Sequence, residues 1–232
     1  MSAPDLARRR LLAGAGVAAA GAALSGCALP GAMPDQASAD LQRPPAPVPQ
    51  VAVGDRWRYA QRNRYNDLIL GETRFEVIET SPRLRLAVQG WGAPPDGTEE
   101  IHERPWQVLQ EPVYDQLQRF ETPQPVLPAQ LTPGATQRWT GFYQVPGSED
   151  RLEWTVWMRA ARWERITVPA GSFDALRVDR RINFRHADLW RTQCERSETL
   201  WYAPQVNRWV RREWTGTYRR YSLERYLLLR ED

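Results

Sequence analysis

The sequence contains no lysine: all 31 basic residues are arginine. We read this as the coding bias of a GC-rich bacterial genome, not as a binding device. Cysteine occurs twice, at Cys27 and Cys194, and histidine twice, at His102 and His186. So few thiols exclude a disulfide scaffold. With no H-x-x-x-H or C-x-x-C pattern, no metal site is expected. No G-x-S-x-G elbow, P-loop or dinucleotide glycine fingerprint appears, so no catalytic residue is assigned and no cofactor is expected. The formal charge is only +3, and residues 1–26 supply Arg8, Arg9, Arg10 and Asp5. Without them 28 arginines face 27 acids, and no clustered basic face calls for nucleic acid. Nor does the apolar run over residues 11–24 suffice to span a membrane. As a helix it would rise about 21 Å, against a bilayer core of about 30 Å.

That run suits the apolar part of an export signal. It follows Arg8-Arg9-Arg10 and ends in Leu24-Ser25-Gly26-Cys27, which resembles the lipobox of bacterial lipoproteins position by position. Small residues before the cysteine fit a narrow peptidase site, and the thiol forms the diacylglyceryl thioether. The resemblance implies that residues 1–26 are a cleaved signal helix and that Cys27 is the lipid-attachment residue, carrying palmitate-type acyl chains into the membrane. Several such chains anchor stably where one would not. Ala28, in place of the aspartate of an inner-membrane retention signal, points to the outer membrane, facing the periplasm. Arg8-Arg9-x-Leu11-Leu12 also resembles a twin-arginine signal, so both export routes stay open.

Residues 27–50 are rich in proline and alanine and read as an extended tether. The body, residues 51–232, alternates apolar and polar side chains. Leu152, Trp154, Val156 and Met158 alternate with Glu153, Thr155, Trp157 and Arg159; Leu176, Val178, Ile182 and Phe184 oppose Arg177, Asp179 and Arg181. Period two denotes strands with one face in the core. Similar runs predict strands at 55–66, 72–79, 84–88, 136–144, 162–168, 190–202, 208–218 and 221–229, joined by short Pro/Gly turns and hence antiparallel. The proline-rich stretch 104–135 reads as extended loop, with one helical turn around Tyr114 to Phe120. The expected fold is all-β, a single curved antiparallel sheet forming an open half-barrel or sandwich.

Three segments carry a second resemblance: Val53-Gly54-Asp55-Arg56-Trp57-Arg58-Tyr59, Val168-Pro169-Ala170-Gly171-Ser172-Phe173-Asp174-Ala175, and Trp201-Tyr202-Ala203-Pro204-Gln205-Val206-Asn207. Together they resemble a family of bacterial periplasmic and lipoprotein domains with no assigned reaction. The resemblance implies a curved antiparallel sheet. Asn207 replaces the family's glycine, and asparagine is the residue that best tolerates the positive φ such a turn needs. The shape is similar to the half-barrel of envelope lipoprotein carriers, where a sheet encloses an apolar groove.

Eleven tryptophans fit either an aromatic groove for a ligand or cross-strand packing in a core. Cys194 shares parity with Leu200 and Tyr202 and reads as a buried, inert thiol. The acid pairs Glu99-Glu100 and Glu149-Asp150 read as solvated turn charge. The arginines interleaved with Glu153, Glu164, Glu195, Glu198, Glu213 and Glu224 read as a salt-bridged outer face. Residues 221–229, apolar on both parities in Tyr226-Leu227-Leu228-Leu229, read as an edge strand that a partner could extend. The functional expectation is a non-catalytic envelope lipoprotein that binds or passes on an apolar or amphipathic ligand. The alternative is an interaction module with an envelope protein as partner.

Overall fold

The computed structural model describes residues 43–94, 97–112, 116–187, 194–216 and 221–231, the last stretch with the side chains of Arg225, Leu227 and Leu228. The export signal, the lipobox with Cys27 and Trp190 lie outside the described residues. Twelve strands follow one another: β1 (Arg56–Asn63), β2 (Ile69–Glu79), β3 (Leu84–Gly90), β4 (Thr98–Arg104), β5 (Gln107–Glu111), β6 (Gln118–Pro125), β7 (Thr136–Gln144), β8 (Leu152–Val168), β9 (Gly171–Phe184), β10 (Cys194–Ala203), β11 (Arg208–Gly216) and β12 (Tyr221–Glu231). Each pairs antiparallel with its sequence neighbours, as short links require, and β12 pairs with β1. The alternation therefore yields the expected all-β, single curved antiparallel sheet, curled until its ends meet.

The seam between β6 and β7 is slight, with only Arg119↔Gln144 and Phe120↔Tyr143 in register. Residues 126–135 between these strands fold inward and bury Val126, Leu127 and Leu131. Residues 43–50 are held against the body. The Ala46 amide donates to Leu131 O at 2.8 Å, and the Tyr202 hydroxyl donates to Pro47 O at 3.1 Å.

Among the described residues, the stretch 104–135 holds two strands, β5 and β6, where a loop was expected, and Phe120 lies within β6. Residues 113–115, where the expected helical turn begins, lie outside the described residues. The prolines are tolerated because Pro123 falls at a register break and Pro125 ends the strand away from β7, so neither removes a ladder bond. The expected strands 152–159 and 162–168 are one strand, β8, with a bulge at Ala160/Arg162. The expected edge strand is not an edge, since β12 is paired on both sides, with β1 and β11.

The sequence motifs meet in space. The Trp57 indole donates to Val206 O at 3.0 Å and the Tyr59 hydroxyl to Trp209 O at 2.7 Å. Pro204 ends β10 in a short 3-10 turn that Asn207 closes at φ 53, the positive φ that asparagine was expected to accept. Val168 faces Gly171 across a two-residue link, so the second motif is a tight hairpin.

Most tryptophans pack the core. Trp57, Trp106, Trp154, Trp201, Trp209 and Trp214 are buried, and Trp106 stands edge-on to Trp57 and Trp209 at centroid distances of 6.4 and 5.1 Å. Such rings each contribute about 1.5–3 kcal/mol by burial alone. Trp154 and Trp157 face opposite ways as their parity required. Trp209 and Trp214, also of opposite parity, are both inside, because a bulge at Trp201/Tyr202 shifts the β10–β11 register. Cys194 is buried, as expected, and forms no disulfide among the described residues. The outward positions carry Arg177, Asp179, Arg181 and Glu195. A membrane-spanning barrel needs an apolar outer band; this barrel has the reverse arrangement.

Candidate functional site

Charged residues occur on the inward parity as well as the outward one. On β9 Arg180 lies between Val178 and Ile182; on β10 Glu198 precedes Leu200; on β11 Arg212 lies between Val210 and Trp214. Alternation therefore carries each of them into the interior, where all are buried. Glu198, expected on the salt-bridged outer face, accepts bonds from Arg180 Nη1 and from Arg212 Nε, the latter at 2.6 Å. Arg212 also donates Nη1 to Glu111 at 2.8 Å, which ties β10 and β11 to β5. Glu153, Glu164, Glu195 and Glu213 do lie outside or partly exposed, and Glu195 pairs there with Arg181 at 2.6 Å.

A second cluster centres on Glu100, which stands on β4 and is fully buried instead of solvated in a turn. Arg208 Nη2 reaches its two oxygens at 3.0 and 3.3 Å. His102, two residues along the same face, meets Glu100 Oε1 through Nε2 at 2.8 Å. The Arg208 guanidinium lies 4.2 Å from the Phe75 ring centroid, 4.5 Å from Trp209 and 4.9 Å from Trp106. These rings occupy the space around its Nε and Nη1, which have no hydrogen-bond partner among the described residues; cation–π attraction takes that place. Burial pushes the Glu100 carboxyl up, but Arg208, His102 and Arg212 outweigh it and hold the group at about 2. Glu198 is held low in the same way: burial opposes, Arg212 and Arg180 prevail.

This juxtaposition of histidine and carboxylate was not foreseen. General acid–base work needs a substrate proton within hydrogen-bond reach. His102, Glu100 and Arg208 are all at most 1% exposed, so they form a sealed ion-pair cluster. His186 is buried beside Phe184. Among the described residues no group of three or more His, Cys, Asp or Glu side chains is placed to hold a metal ion.

Open space lies on the outside of the sheet. A groove of about 550 Å³ crosses β7 to β10 at matched register, between Arg138, Trp157, Arg159, Asp179, Arg181 and Thr199. Its exposed surface is mostly carbon. The side chains of Arg180 and Glu198 are fully buried, so the groove meets only their backbone. Beside it a second groove of about 440 Å³ is bounded by Glu153, Thr155, Trp157, Asn183, Arg185 and Glu195. Trp157 belongs to both grooves, is 38% exposed and lies 5.3 Å from the Arg138 guanidinium. Ring and guanidinium thus stack on the less buried face of the sheet. Parity alone pointed to Trp157; the groove needed the alignment of four strands.

No family model matches the chain, and no curated protein matches it. Solved structures do. A candidate lipoprotein from Parabacteroides distasonis aligns at 15% identity over 82% of this chain and 100% of its own, with a TM-score of 0.50. A candidate exported protein with a YmcC-like fold from Bacteroides fragilis aligns at 12% identity over 78% of this chain and 97% of its own, also at 0.50. The hypothetical lipoprotein YmcC from Escherichia coli aligns at 6% identity over 77% of this chain and 85% of its own, at 0.46. At these identities the likeness is one of fold: the chain shares the β architecture of the Parabacteroides and Bacteroides proteins.

Proposed function

We propose that this chain is a non-catalytic lipoprotein of the bacterial envelope whose barrel holds an amphipathic, net-anionic ligand in the outer groove across β7 to β10. The groove carries the reading, because its carbon-rich floor sits beside exposed Trp157 and among Arg138, Arg159 and Arg181, with Asp179 between them and Glu195 paired to Arg181 at the edge. Apolar burial against the floor supplies affinity and the guanidinium groups orient a negative head. The lipobox supports anchoring through Cys27 in the outer membrane, facing the periplasm, and residues 28–50 support a tether. The two proteins of shared fold are a candidate lipoprotein and a candidate exported protein, which agrees with this placement. An enclosed carrier groove has less support, because the tryptophans that would line it fill the interior instead.

Native mass spectrometry of the purified Cys27→Ala chain tests the reading by detecting co-purified lipid, together with uptake of a fluorescent fatty acid. Trp157→Ala should weaken uptake about tenfold, since a buried aromatic contact contributes roughly 1–2 kcal/mol. A clean apo mass with no uptake refutes the proposal.

One observation favours the alternative, an interaction with an envelope protein. On its β6 side, β7 pairs only at Tyr143 and Gln144, so an extended peptide could add to the strand over residues 136–142. Photocrosslinking from position 138 in intact cells would trap that partner; a blank result removes this reading.

A further inference from the structure

Two loops at one rim of the barrel leave large apolar side chains in solvent. The link between β1 and β2 carries Tyr65, 90% exposed, and Leu68, and β2 opens with Ile69; both aliphatics are more than half exposed. Trp91, 40% exposed, follows β3 at the same rim. Single exposed apolar residues need no account, but a group of them marks a contact surface.

The group is held in place. Asn63 Oδ1 accepts from the Tyr65 amide at 2.9 Å and Asn66 Oδ1 from the Leu68 amide at 3.2 Å, while the Asn63 amide donates to Leu68 O at 2.9 Å. The turn is thus closed by its own polar groups, and its apolar side chains stay outside. The Trp91 amide donates to Glu72 O at 2.7 Å and its carbonyl accepts from the Thr73 hydroxyl at 3.0 Å. Its ring lies over Gly71, two residues from Ile69, where a Cβ would stand 2.5 Å from the ring. The glycine therefore makes room for a ring that remains exposed. Arg62 pairs with Asp67 at 3.6 Å and Arg64 with Glu213 at 2.6 Å, so the turn presents carbon more than net charge. Tyrosine and tryptophan beside aliphatics suit the boundary between acyl chains and head groups, because each ring has an apolar body and a polar tip.

We propose that the rim formed by Tyr65, Leu68, Ile69 and Trp91 docks onto a lipid bilayer by apolar insertion. The membrane is the one that Cys27 is read to anchor in, and to that extent the inference rests on that reading. The described chain starts at the opposite rim, where the Gln50 amide donates to Asn207 Oδ1 at 3.2 Å. Residues 28–42 reach at most about 50 Å. The eleven residues of β2 span about 36 Å, so the tether is long enough to let the far rim turn to the same membrane. Tethering at that range amounts to roughly millimolar concentration, so a contact too weak to hold a free protein would hold this one. The exposed aliphatics Val48, Val53 and Ile78 belong to the tether rim and are joined there by no exposed aromatic among the described residues.

Co-sedimentation with sucrose-loaded vesicles tests this, using the purified chain from Ala28 onward. That chain keeps all twelve strands and lacks both the export signal and Cys27. The vesicles are phosphatidylcholine alone, or phosphatidylcholine with phosphatidylglycerol. The unsubstituted chain should bind both alike and stay bound in high salt, because apolar insertion is not screened. Tyr65→Ser with Leu68→Ser, and Trp91→Ala, should each lower the partition coefficient about tenfold. Val53→Ser, at the other rim, should leave it unchanged. Tyr65 and Leu68 lie outside the core, so the double variant should melt with the unsubstituted chain. The proposal is overturned by no binding to either vesicle, by rim variants that bind undiminished, or by an equal loss in Val53→Ser. Binding that needs phosphatidylglycerol and fades in salt also overturns it. So does a solution dimer that the double variant splits, which would assign the rim to a second copy of this chain. If the full chain proves unacylated at Cys27 while vesicle binding holds, the anchor reading falls and the rim remains a membrane contact.

Discussion

Substituting Glu198 by glutamine separates what an ion pair contributes inside this barrel from what it contributes outside. Glu198→Gln keeps the shape and an acceptor oxygen but removes the charge between Arg180 and Arg212. Arg212 retains Glu111 at 2.8 Å. Arg180 does not fare so well: its bond to Glu198 is the one it makes among the described residues, and its other nitrogens already lack partners. Removing one member of a buried pair costs about 3–5 kcal/mol, and a domain of this size loses about 2–4 °C per kcal/mol. The melting temperature should therefore fall by on the order of 10 °C. The control is Glu195→Gln, three residues away on the same strand. Glu195 meets Arg181 Nε at 2.6 Å, as short as the bond from Arg212 Nε to Glu198, but the pair is 68% and 37% exposed. Solvent screening limits such a pair to about 0–1 kcal/mol, or a few degrees at most. Calorimetry of both variants at pH 7 reads the difference. If the two lose equal stability, the sealed interior described above is wrong.

Acid should act through the same groups. Glu100 is held at about 2 against an unfolded value near 4.3, so its stabilisation is complete above the unfolded value and vanishes as pH falls through the folded one. Denaturant midpoints measured from pH 5 to pH 2 should drop across that window, and Glu100→Gln should flatten the drop; an unchanged slope contradicts the pairing. Cys27→Ala should abolish acylation and detergent partitioning, and a variant that still partitions like wild type removes Cys27 as the anchor. Asn207→Gly should change stability by less than about 0.5 kcal/mol because glycine accepts the φ of 53; Asn207→Val should cost about 1–2 kcal/mol, since a β-branched residue is strained there. Equal midpoints for the two would show that the turn does not constrain this position.

The strand pattern was readable because a side chain's face follows from counting by two, and Leu176 to Phe184 needed nothing more. The same count assigned Arg180 to the inward face, yet its charge argued for solvent. Composition overrode parity at Glu198 and Arg212 for the same reason. The signal was present: a charged residue flanked at two positions on either side by Val178 and Ile182 has nowhere to go but inside. What no count could supply was the partner, because Glu100 and Arg208 are 108 residues apart and meet only through barrel closure. The edge reading of β12 failed on the same ground, since the strand's second neighbour is β1, at the other end of the sheet order. Bulges limited the rest: at Trp201/Tyr202 one extra residue reverses the parity of everything beyond it.

The pairing of β1 with β12 has a temporal consequence. A chain delivered from its N-terminus presents β1 first and must wait through eleven further strands for the segment that covers its open side. Until then two raw hydrogen-bonding margins coexist, each a template for a neighbouring molecule. The sequence separation across this last contact is close to the whole length of the body, which makes it among the slowest to form. Assembly thus ends with a zipper drawn between the oldest and the newest strands, and any delay in that step leaves a sticky, unfinished sheet.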